Sequence, residues 1–310
     1  MRWASPEESF KQLTLRANGL AFSALEQGSG PVVLCLHGFP DHARSFRFQL
    51  PALAEAGFRA VAPMLRGYEP SSKPSDDDYH LVRMAEDVVG WVDDLGEERV
   101  HLVGHDWGAL IAYAVCALAP ERFQSLTTLA IPRPRRLFNE AVRKVPRQLR
   151  NSWYILFFQL RGLADFALEA RDWAFVEKLW RDWSPGWELP ADEMAAVKRT
   201  LAQPGVKRAT LGYYRALFSR NSPAARETQR LAEMPIPVPT LSLTGARDGC
   251  MDTRLHDLLM VEGDFPAGVE VVRLEDAGHF LHQEKPEEIN RLLLGWLERN
   301  ATLHETGFGC

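Results

Sequence analysis

Val100-His101-Leu102-Val103-Gly104-His105-Asp106-Trp107-Gly108 decides how the rest of this chain is read. Val100 to Val103 is a short apolar run of strand type, and Trp107 to Leu118, rich in Ala, Leu and Ile with no proline before Pro120, predicts a helix. A strand that turns directly into a helix strains the residue between them, and side chains on its neighbours collide. Gly104 and Gly108 meet that need on either side of Asp106. The helix behind Asp106 offers unsatisfied N–H groups and the positive end of its dipole, which keeps a carboxylate ionised. An Asp that opens a helix is also the ordinary N-cap. The paired glycines and the partners found downstream speak against that structural reading.

The alternation of strands and helices extends outward from this stretch. Leu13–Ala17 and Leu20–Leu25 are weak strand signals, and Pro31–Leu36 is a continuous apolar run suited to a strand buried on both faces. It ends in His37-Gly38-Phe39-Pro40. A helix is expected over Ala43–Ala56, a strand over Arg59–Pro63 and a loop over Arg66–Pro74. Leu81, Met84, Ala85, Val88, Val92 and Leu95 share one stripe of a helix over Tyr79–Leu95. Leu126–Ile131 is a further strand.

From about Arg133 to Arg230 the pattern is helical, without a convincing strand, and holds Trp153, Trp173, Trp180, Trp183 and Trp187, five of the nine tryptophans. After Pro235-Ile236-Pro237-Val238-Pro239 the alternation resumes with strands Thr240–Thr244 and Val269–Leu274 and a closing helix Glu287–Arg299. The expected architecture is α/β: a mostly parallel sheet flanked by helices, with an inserted helical cap. The sheet domain takes residues 1–132 and 231–310, and the cap takes 133–230.

Composition narrows the class. With 310 residues, 46% hydrophobic and 25% charged, the chain is an ordinary globular protein, and its net charge of −5 argues against nucleic-acid binding. No apolar run is long enough for a membrane helix, and Met1–Glu8 has no hydrophobic signal region, so a cytoplasmic location is expected. Cys35, Cys116, Cys250 and Cys310 stand far apart, which supports neither a disulfide framework nor a metal-ligand spacing. Cys35 and Cys116 read as core. The basic run Arg133 to Arg150 lacks interleaved aromatics and reads as a solvated cap surface. The cap tryptophans read as its small core, with one or two lining an apolar pocket.

The strand–Gly-His-Asp-Trp-Gly–helix stretch resembles the nucleophile elbow of the α/β-hydrolase fold, with Asp where a lipase or esterase carries Ser. Together with HGFP (His37–Pro40), RGYEPSSKP (Arg66–Pro74) and AGHFLHQEKPEEIN (Ala277–Asn290), it resembles the soluble-type epoxide hydrolases of the Asp-nucleophile branch over nearly the whole chain. That resemblance implies a chain order of nucleophile, acid and base at strand ends: Asp106, then Asp248, then His279. Glu275 and Asp276 are weaker candidates for the acid, and no carboxylate follows Ile131 before Glu140. The N–H groups of Phe39 and Trp107 are the implied oxyanion donors.

His37 is expected to hold its loop by hydrogen bonds, on the substrate side with Pro40, and the family's Phe–Pro bond is commonly cis. Two cap tyrosines of such enzymes hold the epoxide oxygen. Tyr154 and Tyr214 match them, whereas Tyr213 falls where relatives often carry Trp. Phe280 stands where Trp is frequent and is expected near the substrate, as is Trp107. The implied partners are a small apolar epoxide and water. No metal or organic cofactor, nucleic acid or membrane is called for, and a homodimer is left open.

A carboxylate suits in-line attack on a saturated, strained carbon, because the ester formed is one that water can later cleave. Haloalkane and haloacid dehalogenases share the elbow and remain the alternative. A fluoroacetate dehalogenase is expected to carry His near position 154 and Arg after the nucleophile, where this chain has Tyr154 and Trp107. Trp107 also suits halide binding and does not discriminate. A binding protein on a retired scaffold is disfavoured by the intact set of groups.

Overall fold

The computed structural model describes residues 10–136 and 142–301. Eight strands, β1 (Lys11–Ala17), β2 (Leu20–Gly28), β3 (Val32–Leu36), β4 (Arg59–Pro63), β5 (Val100–His105), β6 (Phe123–Leu129), β7 (Thr240–Gly245) and β8 (Val269–Leu274), form one sheet. Their order is β1-β2-β4-β3-β5-β6-β7-β8. The β1–β2 and β2–β4 pairings are antiparallel and all others parallel. Parallel neighbours need crossover helices, which cover both faces, so the central strands are apolar on both sides. On β3, Val32, Leu34 and Leu36 join one apolar cluster while Val33 and Cys35 join the other. Helix α1 (Gln49–Glu55) packs on the second face; α2 (Leu81–Asp94) and α3 (Trp107–Leu118) pack on the first.

The continuous helix expected over Ala43–Ala56 is divided. A 3₁₀ turn occupies Ala43–Phe46 and α1 begins only at Gln49. Pro51 is the reason: it lacks the N–H that an interior helical position donates, but it fits a first turn. The Arg66–Pro74 loop is present, with one short 3₁₀ turn at Pro70–Ser72.

Between β6 and β7 the described residues contain helices and no strand: α4 (Val142–Lys144), α5 (Arg147–Asn151), α6 (Trp153–Phe157), α7 (Leu163–Trp183, broken over Ala170–Trp173), α8 (Ala191–Leu201), α9 (Val206–Ala216) and α10 (Pro223–Glu233). The sequence boundary at residue 230 falls inside α10. That helix starts cleanly, with Pro223 in its first turn and the Ser222 hydroxyl accepting the Ala225 N–H at 3.0 Å. It packs on α2 and α3, so it belongs to the sheet's own helical layer.

Two surface expectations need correction. Arg133 is 1% exposed, ion-paired with Asp264 at 3.0 Å, and donates to the Met234 carbonyl at the end of α10. Its fork of donors satisfies backbone that would otherwise be buried unpaired. Arg143, Lys144, Arg147 and Arg150 are exposed as expected. Trp153 is 41% exposed and so is not cap core, whereas Trp180 and Trp183 are buried. Glu140 and Cys310 lie outside the described residues. Among the described residues no helix is long and apolar enough to cross a membrane.

Candidate active site

The elbow has the geometry its glycines require. Asp106 sits between β5 and α3 at φ 51° and ψ −115°, a region that costs any residue with a side chain. A Cβ on Gly104 would stand 2.4 Å from the Gly108 carbonyl oxygen, and one on Gly108 would stand 2.1 Å from that of Leu36. The Asp106 side chain does not cap its own helix. Its Oδ1 accepts the Phe39 N–H at 2.8 Å instead. The N-cap reading is thereby replaced: the carboxylate points across the sheet's carboxyl edge, at the loop after β3.

That loop is held from several sides. His37 donates from Nδ1 to the Gly38 carbonyl at 2.9 Å, and its Nε2 accepts the Leu65 N–H at 3.2 Å. Both ring nitrogens are therefore occupied within the chain, and burial pushes the imidazole down to about 3. His37 holds the loop and has no polar atom left for a substrate, which corrects its inclusion among substrate-binding residues. The Phe39–Pro40 bond is cis, and the Pro40 carbonyl accepts the Trp180 indole N–H at 2.9 Å. Tyr68, from the RGY motif, donates to the Gly38 carbonyl at 3.3 Å, while Arg66 clamps the buried Asp87 of α2 at 2.6 and 2.8 Å.

Gly38 gives a direct test of this packing. A Cβ there would fall 2.4 Å from Asp106 Cβ and 2.7 Å from Oδ1. Gly38→Ala should displace the carboxylate by a fraction of an ångström to an ångström, lowering turnover by about 100-fold. Steady-state rates beside a thermal melt check it; unchanged kcat would mean that the Asp106 position is not critical.

Asp248 and His279 arrive from the loops after β7 and β8. Asp248 Oδ2 bonds His279 Nδ1 at 2.9 Å, and its Oδ1 accepts the N–H groups of Cys250 and Met251 at 2.7 and 2.8 Å. The far nitrogen, His279 Nε2, lies 3.5 Å from Asp106 Oδ2. The two loops are tied by the cap: the Trp183 carbonyl, at the end of α7, accepts N–H groups from both Gly249 (3.0 Å) and His279 (3.1 Å). His105 adds a bond from Nε2 to the His279 carbonyl at 3.0 Å, and the Glu284 carboxylate accepts the Gly278 N–H at 2.8 Å.

Electrostatics follows from the burial of two carboxylates around one imidazole. Desolvation pulls His279 down, but the charges and hydrogen bonds of Asp248 and Asp106 dominate and raise it to about 10. Desolvation pushes Asp106 up, yet the close approach and charge of the His279 imidazolium, with the Phe39 N–H added, hold it below the ordinary carboxylate value. Asp106 is therefore an anion beside an imidazolium, which is the state a nucleophilic carboxylate needs.

The cap sets an aromatic roof over this group. Tyr214 packs edge-on against Phe39 and Trp107, each at 5.2 Å between ring centroids, and stands 5.7 Å from Tyr154. Its hydroxyl is buried without a hydrogen bond of proper geometry, with the Trp107 indole as polar neighbour. The Tyr154 hydroxyl meets Cys250 Sγ at 3.4 Å. Burial first, and the Asp106 charge among other causes, push both phenols well above 10, so both keep their protons. Tyr213 differs: its hydroxyl donates to the Arg66 carbonyl at 2.6 Å. Phe280 stacks on Trp180 at 4.1 Å and meets the His279 ring edge-on at 5.2 Å, so its contacts seat the histidine under the cap. Arg66, Tyr68, Trp183, His105 and Cys250 escaped sequence reasoning as site residues; only the RGY and GHDW stretches flagged any of them.

Over residues 31–286 the chain matches the alpha/beta hydrolase fold family, and it belongs to that family. It is 33% identical over 311 residues to Epoxide hydrolase 3 of Siraitia grosvenorii, covering 91% of this chain and 96% of that one. Epoxide hydrolase A of Mycobacterium tuberculosis is 31% identical, with 90% and 95% covered. Among solved structures, an epoxide hydrolase from Vigna radiata superposes with a TM-score of 0.79 at 26% identity, over 96% of this chain and all (100%) of the other. The Bacillus megaterium epoxide hydrolase, solved with an inhibitor, gives a TM-score of 0.78 at 28% identity, with 92% and 100% covered. Within the α/β-hydrolases the chain groups with the epoxide hydrolases, and it is a hydrolytic enzyme.

Proposed function

We propose that this enzyme opens small apolar epoxides to vicinal diols through an ester on Asp106. The observation that carries this reading is the pair of buried, protonated phenols, Tyr154 and Tyr214, roofing a nucleophilic carboxylate. The names of the relatives support the same substrate class.

Asp106 Oδ2 attacks a ring carbon, the C–O bond opposite it breaks, and the leaving oxygen takes a proton from a phenol. An alkoxide's conjugate acid is about as weak an acid as water, far weaker than a phenol. Even a raised phenol therefore protonates it as charge develops. Esterification removes one of the two negative charges beside His279, so the imidazole loses affinity for its proton. That proton restores the phenol. Neutral His279, oriented by Asp248, then takes a proton from water, whose oxygen attacks the carboxyl carbon of Asp106. Negative charge grows on the Asp106 oxygen that the Phe39 N–H already contacts, with the Trp107 N–H as the second donor. Each such donor lowers the barrier by about 3 kcal/mol. Collapse regenerates Asp106 and the imidazolium and releases the diol.

A single turnover in isotopically labelled water tests the covalent route. The first diol should carry unlabelled oxygen from Asp106, with label entering the enzyme; label in the first product would point to direct attack by water. Styrene oxide and 1-bromobutane assays separate the epoxide reading from the dehalogenase one, since only the latter releases halide.

The phenols give a further expectation. Tyr214→Phe combined with Tyr154→Phe should lower the single-turnover alkylation rate by roughly 1000-fold or more, while the melting temperature changes little. Tyr214 has no buried partner to orphan, and Tyr154 has only a weak one in Cys250. Undiminished ring opening in the double variant would remove both from the mechanism.

A further inference from the structure

Cys250 lies two residues after Asp248, with nothing in the sequence around it to suggest reactivity, yet the fold sets it in the middle of the site. Its Sγ, an oxygen of Asp106 and a nitrogen of His279 all lie within 4.8 Å of one another, and all three residues are buried. We infer that these three side chains form a binding site for a zinc-like divalent cation, and that the cation inhibits the enzyme by occupying its nucleophile and base.

The donor set is one oxygen, one nitrogen and one sulfur, which suits a borderline-soft ion such as Zn²⁺ rather than Mg²⁺ or Ca²⁺. Zinc bonds of about 2.0 Å to N or O and 2.3 Å to S place ligand atoms roughly 3.5 Å apart around a tetrahedral ion. Asp106 Oδ2 and His279 Nε2 are already 3.5 Å apart. With every pair within 4.8 Å, Cys250 then needs to close in by no more than about 1.3 Å, which one side-chain adjustment supplies.

The surrounding partners are those a metal site uses. A ligating histidine usually donates its other N–H to a carboxylate, which fixes the ring and strengthens it as a ligand. His279 does this to Asp248 at 2.9 Å. The second Asp106 oxygen is held by the Phe39 N–H at 2.8 Å, and Tyr154 bonds the sulfur. His279 Nε2 and the Tyr214 hydroxyl are buried, polar and without hydrogen bonds of proper geometry, so the space beside the carboxylate is one where donors converge unsatisfied. The ion displaces the imidazolium proton and the thiol proton, leaving the Asp106 carboxylate and Cys250 thiolate to neutralise its charge.

Two other groupings of metal-binding side chains among the described residues are less suited. In one, Glu193 is already paired with His42 at 2.7 Å and with Arg44 at 3.2 Å. In the other, Asp41 is occupied by Ser45 and Gln283, and His282 by Ser45.

The test titrates the intact enzyme with Co²⁺ as a spectroscopic probe, then with Zn²⁺. One equivalent of Co²⁺ should produce a thiolate-to-metal charge-transfer band, which Zn²⁺ displaces and which Cys250→Ala and His279→Gln both abolish. Asp248→Asn, one step removed from the ion, should weaken binding by roughly 10- to 100-fold. Zn²⁺ should arrest hydrolysis in the wild type, reversibly by chelator, while Cys250→Ala needs at least about tenfold more metal relative to its own uninhibited rate. No band in the wild type, or a band that persists in Cys250→Ala, overturns the site. The inhibitory consequence rests on the function proposed above, but the band does not. A band in a protein that turns over no epoxide would retain the metal site and discard the substrate.

Discussion

Asp106→Asn should lower epoxide turnover by about 10⁴-fold or more, comparable to removing the nucleophile of other covalent hydrolases. Asn preserves the side chain's size and an acceptor for the Phe39 N–H, so the loop after β3 stays in place. What it removes is the negative charge. The amide oxygen is a poor nucleophile toward saturated carbon, and the His279 imidazolium loses one of two flanking anions. Its pKa, about 10 with both carboxylates present, should therefore fall, which histidine NMR reads directly.

Stability carries the same signature. A group whose pKa is raised on folding stabilises fully below its unfolded value, about 6.5 for His, and loses that contribution as pH rises through the folded value. The window for His279 thus runs from roughly pH 6.5 up to about 10. Asp106, held low, acts oppositely: its contribution is present above about pH 3.9 and is lost as pH falls. Thermal melts from neutral to alkaline pH should show a wild-type decline that flattens in Asp106→Asn. Turnover within tenfold of wild type (about 1.4 kcal/mol of barrier), or an unmoved His279, would show that this carboxylate is neither nucleophile nor counter-ion.

His279→Gln should separate the two halves of the reaction. In the proposed mechanism ring opening needs Asp106 and the phenols but not a base, so one equivalent of epoxide should react in a burst. Ester hydrolysis needs the base, and losing it typically slows such a step by 10²–10⁴-fold, an order-of-magnitude range. The alkylated enzyme should then accumulate, heavier by the mass of one epoxide, with the addition on the peptide holding Asp106. The variant is also expected to fold. Asp248 keeps its bonds from the Cys250 and Met251 N–H groups, and the amide of Gln can replace the lost donor. Lost turnover without any adduct, in a protein that still binds epoxide, would remove His279 from the second step. Steady turnover at the wild-type rate would remove it altogether.

Much of this site was legible before any coordinates. The burial of β3 on both faces is written in its continuous apolar run, Val32–Leu36, and the Gly-x-Asp-x-Gly spacing after β5 announces a strained turn whatever surrounds it. Asp248 and His279 were implied by the family resemblance together with their places after β7 and β8. Less could be read where one side chain serves a distant segment. Nothing near Arg133 in sequence says that its guanidinium meets Asp264, and nothing in Tyr213-Tyr214 says which hydroxyl is spent on the Arg66 carbonyl. The cap boundary expected at residue 230 cuts through α10, because an apolar helix stripe does not state which layer it covers.

The local sequence by itself determined the elbow, the strand ends and the identity of the charged groups, because backbone sterics and hydrophobic period act over a few residues. Only the tertiary structure decided their protonation, their spacing and the inclusion of Cys250. A pKa depends on how much water is excluded and which charges stand within a few ångströms. Asp106 lies more than a hundred residues before Asp248, Cys250 and His279, and they meet only across the sheet edge, with the two later loops pinned by the Trp183 carbonyl.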